Sequence, residues 1–257
     1  MITTNRFDFS ISDHDKYYSL LKRVINKYPT LISWVANNPF ESKYASLKLG
    51  PNYLNFTMIR PFGLSSLPKY PKISLKEASL PVIVNYPNTR PFQSVLEKSN
   101  LEFKLLGKKY GGPTALTQHK ALISVPYQVS TMKMYENLAN GVVTYVPTPR
   151  YLIEFLENDM YELSAVNATR KVGQDWYTYV EPYNPQLSEF FYQFDSLDEL
   201  KELLKGDVDP RNVKTSAPLF WKEMRRKSER QWRLVFDELF TRFYYPEEFF
   251  PAPSEIN

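Results

Sequence analysis

The first sixty residues alternate between short apolar runs and segments whose apolar residues recur at helical spacing. Strands are predicted at 2–9, 30–36 and 53–60, because these runs are apolar or alternate apolar with polar residues. Helices are predicted at 15–27, capped by Ser12 or Asp13, and at 40–49, started by Pro39 and stopped by Gly50. Strand–helix alternation of this kind is typical of a parallel sheet covered by helices.

A second series with the same alternation follows a stretch of little periodicity at residues 64–80. It predicts strands at 81–86, 101–106, 121–125, 142–146 and 176–180, and helices at 92–98, 114–120, 131–139, 149–157, 197–205 and 218–240. The sequence therefore predicts an α/β protein with two parallel-sheet units, and ligands are expected at the carboxyl ends of the strands.

These patterns divide the chain into four parts. Residues 1–63 form a first α/β unit, residues 64–80 a linker and residues 81–217 a second α/β unit, followed by a closing helix and tail at 218–257. The first unit supplies about three strands.

Composition restricts the chemistry that the chain can use. It has 257 residues, of which 43% are hydrophobic, and it contains no cysteine, which excludes disulfides, thiolate metal sites and cysteine nucleophiles. His14 and His119 are the only histidines, so we expect no zinc site of the usual kind. No apolar run approaches the ~20 residues of a membrane span, and the N-terminus lacks signal-peptide features. We expect a cytoplasmic protein.

The net charge of +4 is concentrated near the end of the chain. Residues 221–233 contain six basic and two acidic side chains, on a predicted helix whose other face is apolar. A basic helix can bind nucleic acid or an anionic membrane, but its charges can also form an ordinary solvated face. The tryptophans belong to the packing face and no nucleic-acid motif is present, so no nucleic-acid partner is expected. Peripheral membrane contact and a homodimer stay open.

The most informative segment runs from Pro126 to Pro147. Ser130 and Thr131 open a predicted helix that Gly141 ends before a β-rich run. The free N–H groups and positive dipole end of such a helix can bind a phosphate. Glu136 within the helix can accept hydrogen bonds from the hydroxyls of a bound ribose.

The run from Glu136 to Val143 resembles the donor-binding signature of GT-B glycosyltransferases. Retaining members of that family often carry two acidic residues with seven positions between them. Here the second matches Glu136, whereas the first falls on Gln128, which keeps a hydrogen-bonding side chain and loses a charge. The resemblance implies two Rossmann-like units, and by comparison with that family the first unit, residues 1–63, is incomplete. It also implies a UDP- or GDP-sugar donor as substrate rather than a bound cofactor, and a glycan or other hydroxyl acceptor.

The resemblance also implies roles for further residues. In this family Arg or Lys generally stabilises the leaving diphosphate without a metal, and Arg90, Lys108 and Lys109 follow predicted strands suitably. Asp8 is a candidate for orienting the acceptor or acting as a base, although capping a turn is the simpler role. The donor-binding candidates are Gln128, Ser130, Thr131, Met132, Glu136, Gly111 and Gly112. For the cations and the glycines, the alternative is an ordinary surface or loop position.

Two functions compete at this point. The first is a glycosyltransferase that uses a nucleotide sugar. The second is a catalytically inactive GT-B-like protein that binds nucleotide or glycan, or acts as a partner subunit, which Gln128 and the short first unit favour. A nucleic-acid binder acting through residues 221–233 is a third alternative, which predicts affinity that falls steeply with salt.

Overall fold

The structure is a computed structural model that describes residues 2–3, 11–29, 32–50, 56–63, 75–84, 90–107, 109–157, 169–170 and 172–244. The chain divides into two compact units. The first consists of Met1–Pro61 together with Met224–Asn257, and the second is Phe62–Glu223. Both units are α/β with parallel sheets, as the alternation of strands and helices predicted.

The first unit is built on a three-stranded parallel sheet with the order β1-β2-β3. Its elements are β1 (Ile2–Thr3), α1 (His14–Lys27), β2 (Trp34–Ala36), α2 (Pro39–Leu49) and β3 (Phe56–Met58), and it also contains the second part of the last helix. In the register of the sheet, Val35 lies opposite Ile2 on one side and Thr57 on the other.

Local sequence signals account for both helices of the first unit. The Asp13 side chain accepts a hydrogen bond from Lys16 N at 3.0 Å, which caps α1. Asn38 caps α2 in the same way through Glu41 N, at 3.1 Å, and Gly50 ends this helix with a φ of 105°. The predicted start of α2 at Pro39 is confirmed.

The second unit contains a five-stranded sheet. Its elements are α3 (Leu75–Ala78), β4 (Val82–Val84), α4 (Arg90–Lys98), β5 (Lys104–Leu106), α5 (Pro113–Leu116), β6 (Leu122–Ile123), α6 (Met132–Ala139), β7 (Thr144–Pro147), α7 (Pro149–Glu157), β8 (Phe191–Phe194), α8 (Leu197–Lys205) and the first part of α9 (Val213–Tyr244). All neighbouring strands are parallel, in the order β5-β4-β6-β7-β8.

The core of the second unit surrounds its central strands. Val82 and Val84 of β4 pack with Leu122 of β6, and Leu116 and Val142 complete this buried cluster. The rings of Phe92 and Phe155, from α4 and α7, lie 5.3 Å apart and are both buried. Near-continuous burial of β4, β6 and β7 is what a parallel sheet covered on both faces requires.

The strand predicted at 176–180 is wrong. These residues begin a series of short 3-10 helices at Trp176–Tyr179, Glu181–Tyr183 and Ser188–Phe190. Their backbone groups bond locally, as in the 2.8 Å bond from Val180 N to Tyr177 O. The last strand of the sheet is instead β8, which immediately follows the third of these helices.

Two further elements differ from the sequence prediction. A short helix, α3, lies within the segment predicted as a linker. The last helix begins at Val213, before the predicted start at 218, and contains Pro218. The Asp209 carboxylate accepts hydrogen bonds from Val213 N at 2.6 Å and Lys214 N at 3.1 Å, which satisfies first-turn donors that the sequence pattern did not assign.

Candidate functional site

The strand order of the second unit reverses direction at one point in the sheet. Along the chain β4 comes first, its successor β5 pairs on one side of it, and β6 pairs on the other. The direction of strand progression therefore reverses between β4 and β6. In open parallel sheets, ligands bind outside the carboxyl ends of the strands at such a reversal.

A pocket that is partly open to solvent, with a cavity volume of about 70 Å³, lies at this reversal. Ile83 and Val84 of β4 line it, together with the end of β6 and the segment that leads from β6 into α6. The remaining lining residues come from α6, β7 and the region before and within β8. They are Thr131, Lys133, Met134, Asn137, Thr144, Val146, Pro182 and Phe191. The pocket is thus mostly apolar, and its polar groups come from the segment before α6, from α6 itself and from β7.

Thr131 positions the start of α6 at this pocket. It has extended backbone geometry, and its side chain accepts a hydrogen bond from Met134 N at 3.2 Å, so it is the N-cap. Gly141, with a φ of +64°, follows the last turn of the helix. The predicted helix of 131–139 between a hydroxyl cap and a glycine is confirmed.

Lys133 brings a positive charge to the pocket in the first turn of α6. Burial lowers the pKa of its amine from 10.5 to about 8, and the nearby negative charge of Glu136 opposes this effect. The Lys133 amine also lies 4.6 Å from the centre of the Tyr110 ring, which is within the range of a cation–π contact. An anion in the pocket would favour the charged form of this lysine.

Asn137 lies one turn further along α6, on the same face as Lys133. Only 6% of its surface is exposed, and it lines the pocket. Its backbone oxygen accepts a hydrogen bond from Val142 N at 3.0 Å. Its side-chain oxygen Oδ1 is buried and has no hydrogen-bond partner in the described part of the chain. Buried polar atoms are rarely left so, which makes this oxygen a candidate for contact with a bound molecule.

The structure brings two of the predicted donor-binding residues to the pocket, Gln128 and Thr131. Ser130 is buried beside them, and Met132 is 58% exposed. Glu136 does not line the pocket. Its side chain packs against Gly63, whose φ is +62° and where an added Cβ would lie 2.5 Å from Glu136 Cγ.

The other predicted residues lie elsewhere. Gly111 and Gly112 both have positive φ, and Gly112 is the N-cap of α5. Lys109 is exposed. Asp8 and Lys108 fall outside the described residues, and for Arg90 only the backbone, at the start of α4, is described. Of the described residues among these, Lys109, Gly111 and Gly112 do not line the pocket.

Sequence reasoning missed Lys133 and Asn137, although a signal for them existed. On α6 the apolar residues Met134, Tyr135 and Leu138 are buried, and Asn137 is a polar residue among them. An asparagine on the buried face of a helix is unusual, because its amide needs hydrogen-bond partners there. Lys133 is four residues earlier and therefore shares that side of the helix.

Two other polar clusters of the second unit have structural explanations. Arg150 forms ion pairs with Glu154 and Asp195, and it holds the pKa of the Asp195 carboxyl below its usual range. These groups are solvent-exposed, where ion pairs contribute little. Burial raises the pKa of Tyr145 to about 12, and this ring stacks on Tyr192, whose hydroxyl donates to Asp209 at 2.9 Å. The second cluster connects β7 and β8 to the start of α9.

Within the described residues, no group of three or more His, Asp or Glu side chains is placed to hold a metal ion. Over the same part of the chain, the helices are too short or too polar to cross a membrane. Comparison of the chain with models of protein families, with curated proteins and with solved structures finds no match in any of the three. The fold that the structure itself establishes is therefore α/β with two parallel sheets.

Proposed function

We propose that the second unit binds the nucleoside diphosphate of a sugar donor, and that the chain is a glycosyltransferase of the GT-B type. One observation carries this proposal. The pocket lies where the strand order reverses, the start of α6 contributes Thr131 and Lys133 to its lining, and Asn137 follows one turn later. A helix start with a lysine at the end of a parallel strand is well suited to a phosphate group.

The diphosphate would lie against the first turn of α6. The first N–H groups of a helix have no partner within it, and the helix dipole adds a partial positive charge there. Lys133 supplies a full charge beside them. Burial lowers the pKa of the Lys133 amine because the charged form is costly to bury. A bound dianion would raise this pKa again by stabilising the charged form.

These groups also suit the chemistry of glycosyl transfer. The bond between the anomeric carbon and a diphosphate oxygen breaks, and an acceptor oxygen bonds to that carbon as its hydroxyl proton leaves. Negative charge develops on the departing diphosphate, and fixed positive groups stabilise it. The resemblance to GT-B enzymes implies that this occurs without a metal, and Lys133 fits that role better than the exposed Lys109.

The last helix contributes residues to both units. The residues of α9 up to Glu223 belong to the second unit, and those from Met224 belong to the first. In addition, the proposal does not include the ribose contact predicted for Glu136. The Glu136 side chain packs against Gly63 and does not line the pocket.

A catalytically inactive binding protein is the second candidate. Gln128, which occupies the position of the first family carboxylate, lines the pocket and adds no charge to it. Such a protein would bind the nucleotide or a glycan, or act as a partner subunit, and would not turn over a donor.

Calorimetric titration with UDP and GDP tests the binding site. We expect the wild-type chain to bind at least one of them and Lys133→Met to bind at least tenfold more weakly. Lys109→Met, which removes an exposed lysine outside the pocket, is the matched control and should bind normally. A folded wild-type chain that binds neither nucleotide would overturn the proposal.

Turnover separates the two candidates. Release of nucleoside diphosphate from a bound sugar donor, with or without a hydroxyl acceptor, would identify an enzyme. Tight donor binding with no release across a panel of acceptors would favour the inactive protein.

A further inference from the structure

The oxygen Oδ1 of Asn137 is a buried acceptor that the described part of the chain leaves unsatisfied. The residue is 94% buried, because only 6% of its surface is exposed, and it forms part of the pocket wall. A buried polar atom without a hydrogen bond destabilises a protein, and such atoms are few in native structures. If residue 137 had only a packing role, a leucine there would avoid the destabilisation caused by an unsatisfied buried oxygen.

Most of the residues that line the pocket with Asn137 are apolar. Leu122 and Ile123 of β6, Val146 of β7 and Phe191 of β8 line the same pocket. A pocket of this kind suits a flat group whose faces are apolar and whose edge forms hydrogen bonds. A nucleobase has these properties, and the side-chain amide of asparagine can pair with a base edge by one donor and one acceptor.

The spacing on α6 separates two kinds of contact. Lys133 in the first turn is charged, and Asn137 one turn later is neutral; the two belong to one side of the helix. A nucleoside diphosphate also has a charged end and a neutral end, separated by the ribose. Placing its diphosphate at Lys133 directs the base toward the part of the pocket that contains Asn137.

We infer that Asn137 reads the base of the bound nucleotide, with Oδ1 accepting a hydrogen bond from an N–H group on the base edge. This inference rests on the proposed nucleotide site and adds the residue that would distinguish a nucleotide from a bare diphosphate. Uracil, guanine and adenine each offer an N–H donor beside an acceptor, so the identity of the preferred base is a result of the test.

The experiment compares inorganic pyrophosphate with UDP, GDP and ADP by calorimetry, using the wild type, Asn137→Leu and Lys133→Met. For the wild type we expect the preferred nucleotide to bind at least tenfold more tightly than pyrophosphate. Asn137→Leu should lose that advantage and bind pyrophosphate as the wild type does. Lys133→Met should weaken both ligands.

Thermal unfolding of the free proteins supplies a second readout. Asn137→Leu removes an unsatisfied buried oxygen, so we expect its melting temperature to rise while nucleotide affinity falls. A residue with a purely structural role would show a lower melting temperature. If the leucine does not fit and the variant fails to fold, Asn137→Ala, which adds no volume, is tested in the same way for its ratio of nucleotide to pyrophosphate affinity.

The outcomes distinguish this inference from the function on which it rests. Unchanged nucleotide affinity in folded Asn137→Leu or Asn137→Ala would overturn the role of Asn137 and leave the nucleotide site standing. Equal affinity of the wild type for pyrophosphate and for all nucleotides would also overturn it. A wild type that binds none of these ligands would overturn the nucleotide site itself, and the inference with it.

Discussion

At the scale of single residues, Gly141 shows how closely two backbone segments approach in the second unit. It follows α6 with a φ of +64°, and a Cβ at this position would overlap the carbonyl oxygen of Lys214 in α9. That oxygen is the helical acceptor whose usual donor would be the N–H of residue 218, which is a proline. Both the conformation and the contact therefore require glycine.

We predict that Gly141→Ala destabilises the protein by at least about 2 kcal/mol. The left-handed conformation alone costs an alanine roughly 1–2 kcal/mol, and the overlap with backbone adds to it. Urea unfolding monitored by circular dichroism measures the change. Gly206→Ala is the control, because an added Cβ at Gly206 meets nothing and its φ of −83° suits any residue. Equal stability of the two variants would contradict the prediction.

The lowered pKa of Lys133 predicts a specific pH dependence of stability. Between about pH 8, its folded-state pKa, and 10.5, its ordinary value, the unfolded chain holds more protons at this site than the folded chain. The contribution of Lys133 to the free energy of unfolding therefore rises with pH over that window. Below pH 8 both states are charged, and the cost of burying the amine is fully present.

We expect Lys133→Met to be more stable than the wild type near pH 7, with a difference that shrinks as the pH rises through 8 toward 10.5. Melting temperatures of both proteins across pH 6.5–10.5 test this, and taking their difference removes the contribution of tyrosines common to both. A difference that stays constant with pH would show that Lys133 does not titrate in this window.

The sequence indicated some residues of the site and not others, for a physical reason. Gln128 and Thr131 follow a strand and precede a helix, so chain position alone placed them near the carboxyl end of β6. Lys133 and Asn137 are pocket residues because of the direction in which α6 presents its side chains to the sheet. Which side of α6 faces the sheet depends on tertiary packing, which cannot be predicted from a single sequence.

At the scale of elements, a buried pair connects α6 to the 3-10 helices before β8. The Tyr135 hydroxyl donates a hydrogen bond to the Glu181 carboxyl, and neither residue is exposed. The Glu181 N–H donates to Val129 O at 2.9 Å, in the segment that leads to the pocket. These hydrogen bonds thus join the series of 3-10 helices to α6 and to Val129, which lines the pocket.

We predict that Tyr135→Phe destabilises the second unit by about 1–3 kcal/mol, because it removes a donor from a buried carboxyl group. Tyr177→Phe, in a less buried tyrosine of the 3-10 segment, is the control and should change stability little. Chemical unfolding of the two variants gives the comparison. Loss of nucleotide affinity in Tyr135→Phe beyond its loss of stability would show that the pair also positions the pocket.

Most helices and strands could be predicted because apolar runs and caps determine them locally, as the helix Pro149–Glu157 illustrates. The sequence predicted a strand at 176–180 and missed β8, for a physical reason. Residues 176–180 are aromatic and β-branched, which favours a strand, but their N–H groups bond within tight turns. Pairing of β8 with β7 over four residues is a long-range interaction that local propensity does not contain.

At the scale of the whole molecule, the last helix completes the core of the first unit. Val235 is buried against Val35 of β2 and Ile59, with Trp232 packed beside them. The Ser228 hydroxyl donates to Arg60 O at 2.9 Å in the same unit. These contacts make residues 224–244 a structural part of a unit whose other elements lie in the first 61 residues.

We predict that Val235→Ala lowers the stability of the first unit by about 1–3 kcal/mol through loss of buried apolar contact. The adjacent Leu234 is 63% exposed, so Leu234→Ala is the matched control and should be nearly neutral. Hydrogen exchange by mass spectrometry localises the effect. We expect faster exchange at 34–36 and 56–58 in Val235→Ala and unchanged exchange at 82–84. Equal effects of both substitutions would contradict this assignment.

The division of the chain also has a consequence for biosynthesis. The first unit is discontinuous in sequence, since Phe62–Glu223 is inserted between its two parts. A ribosome releases residues 2–58 before any of the second unit, yet their partner Val235 emerges only after that unit is complete. The part synthesised first is therefore the last to acquire its full core. The apolar surface on β2 and just after β3 that Val235 covers stays exposed through most of translation. Nascent chains arrested soon after residue 223 should be the ones most dependent on chaperones.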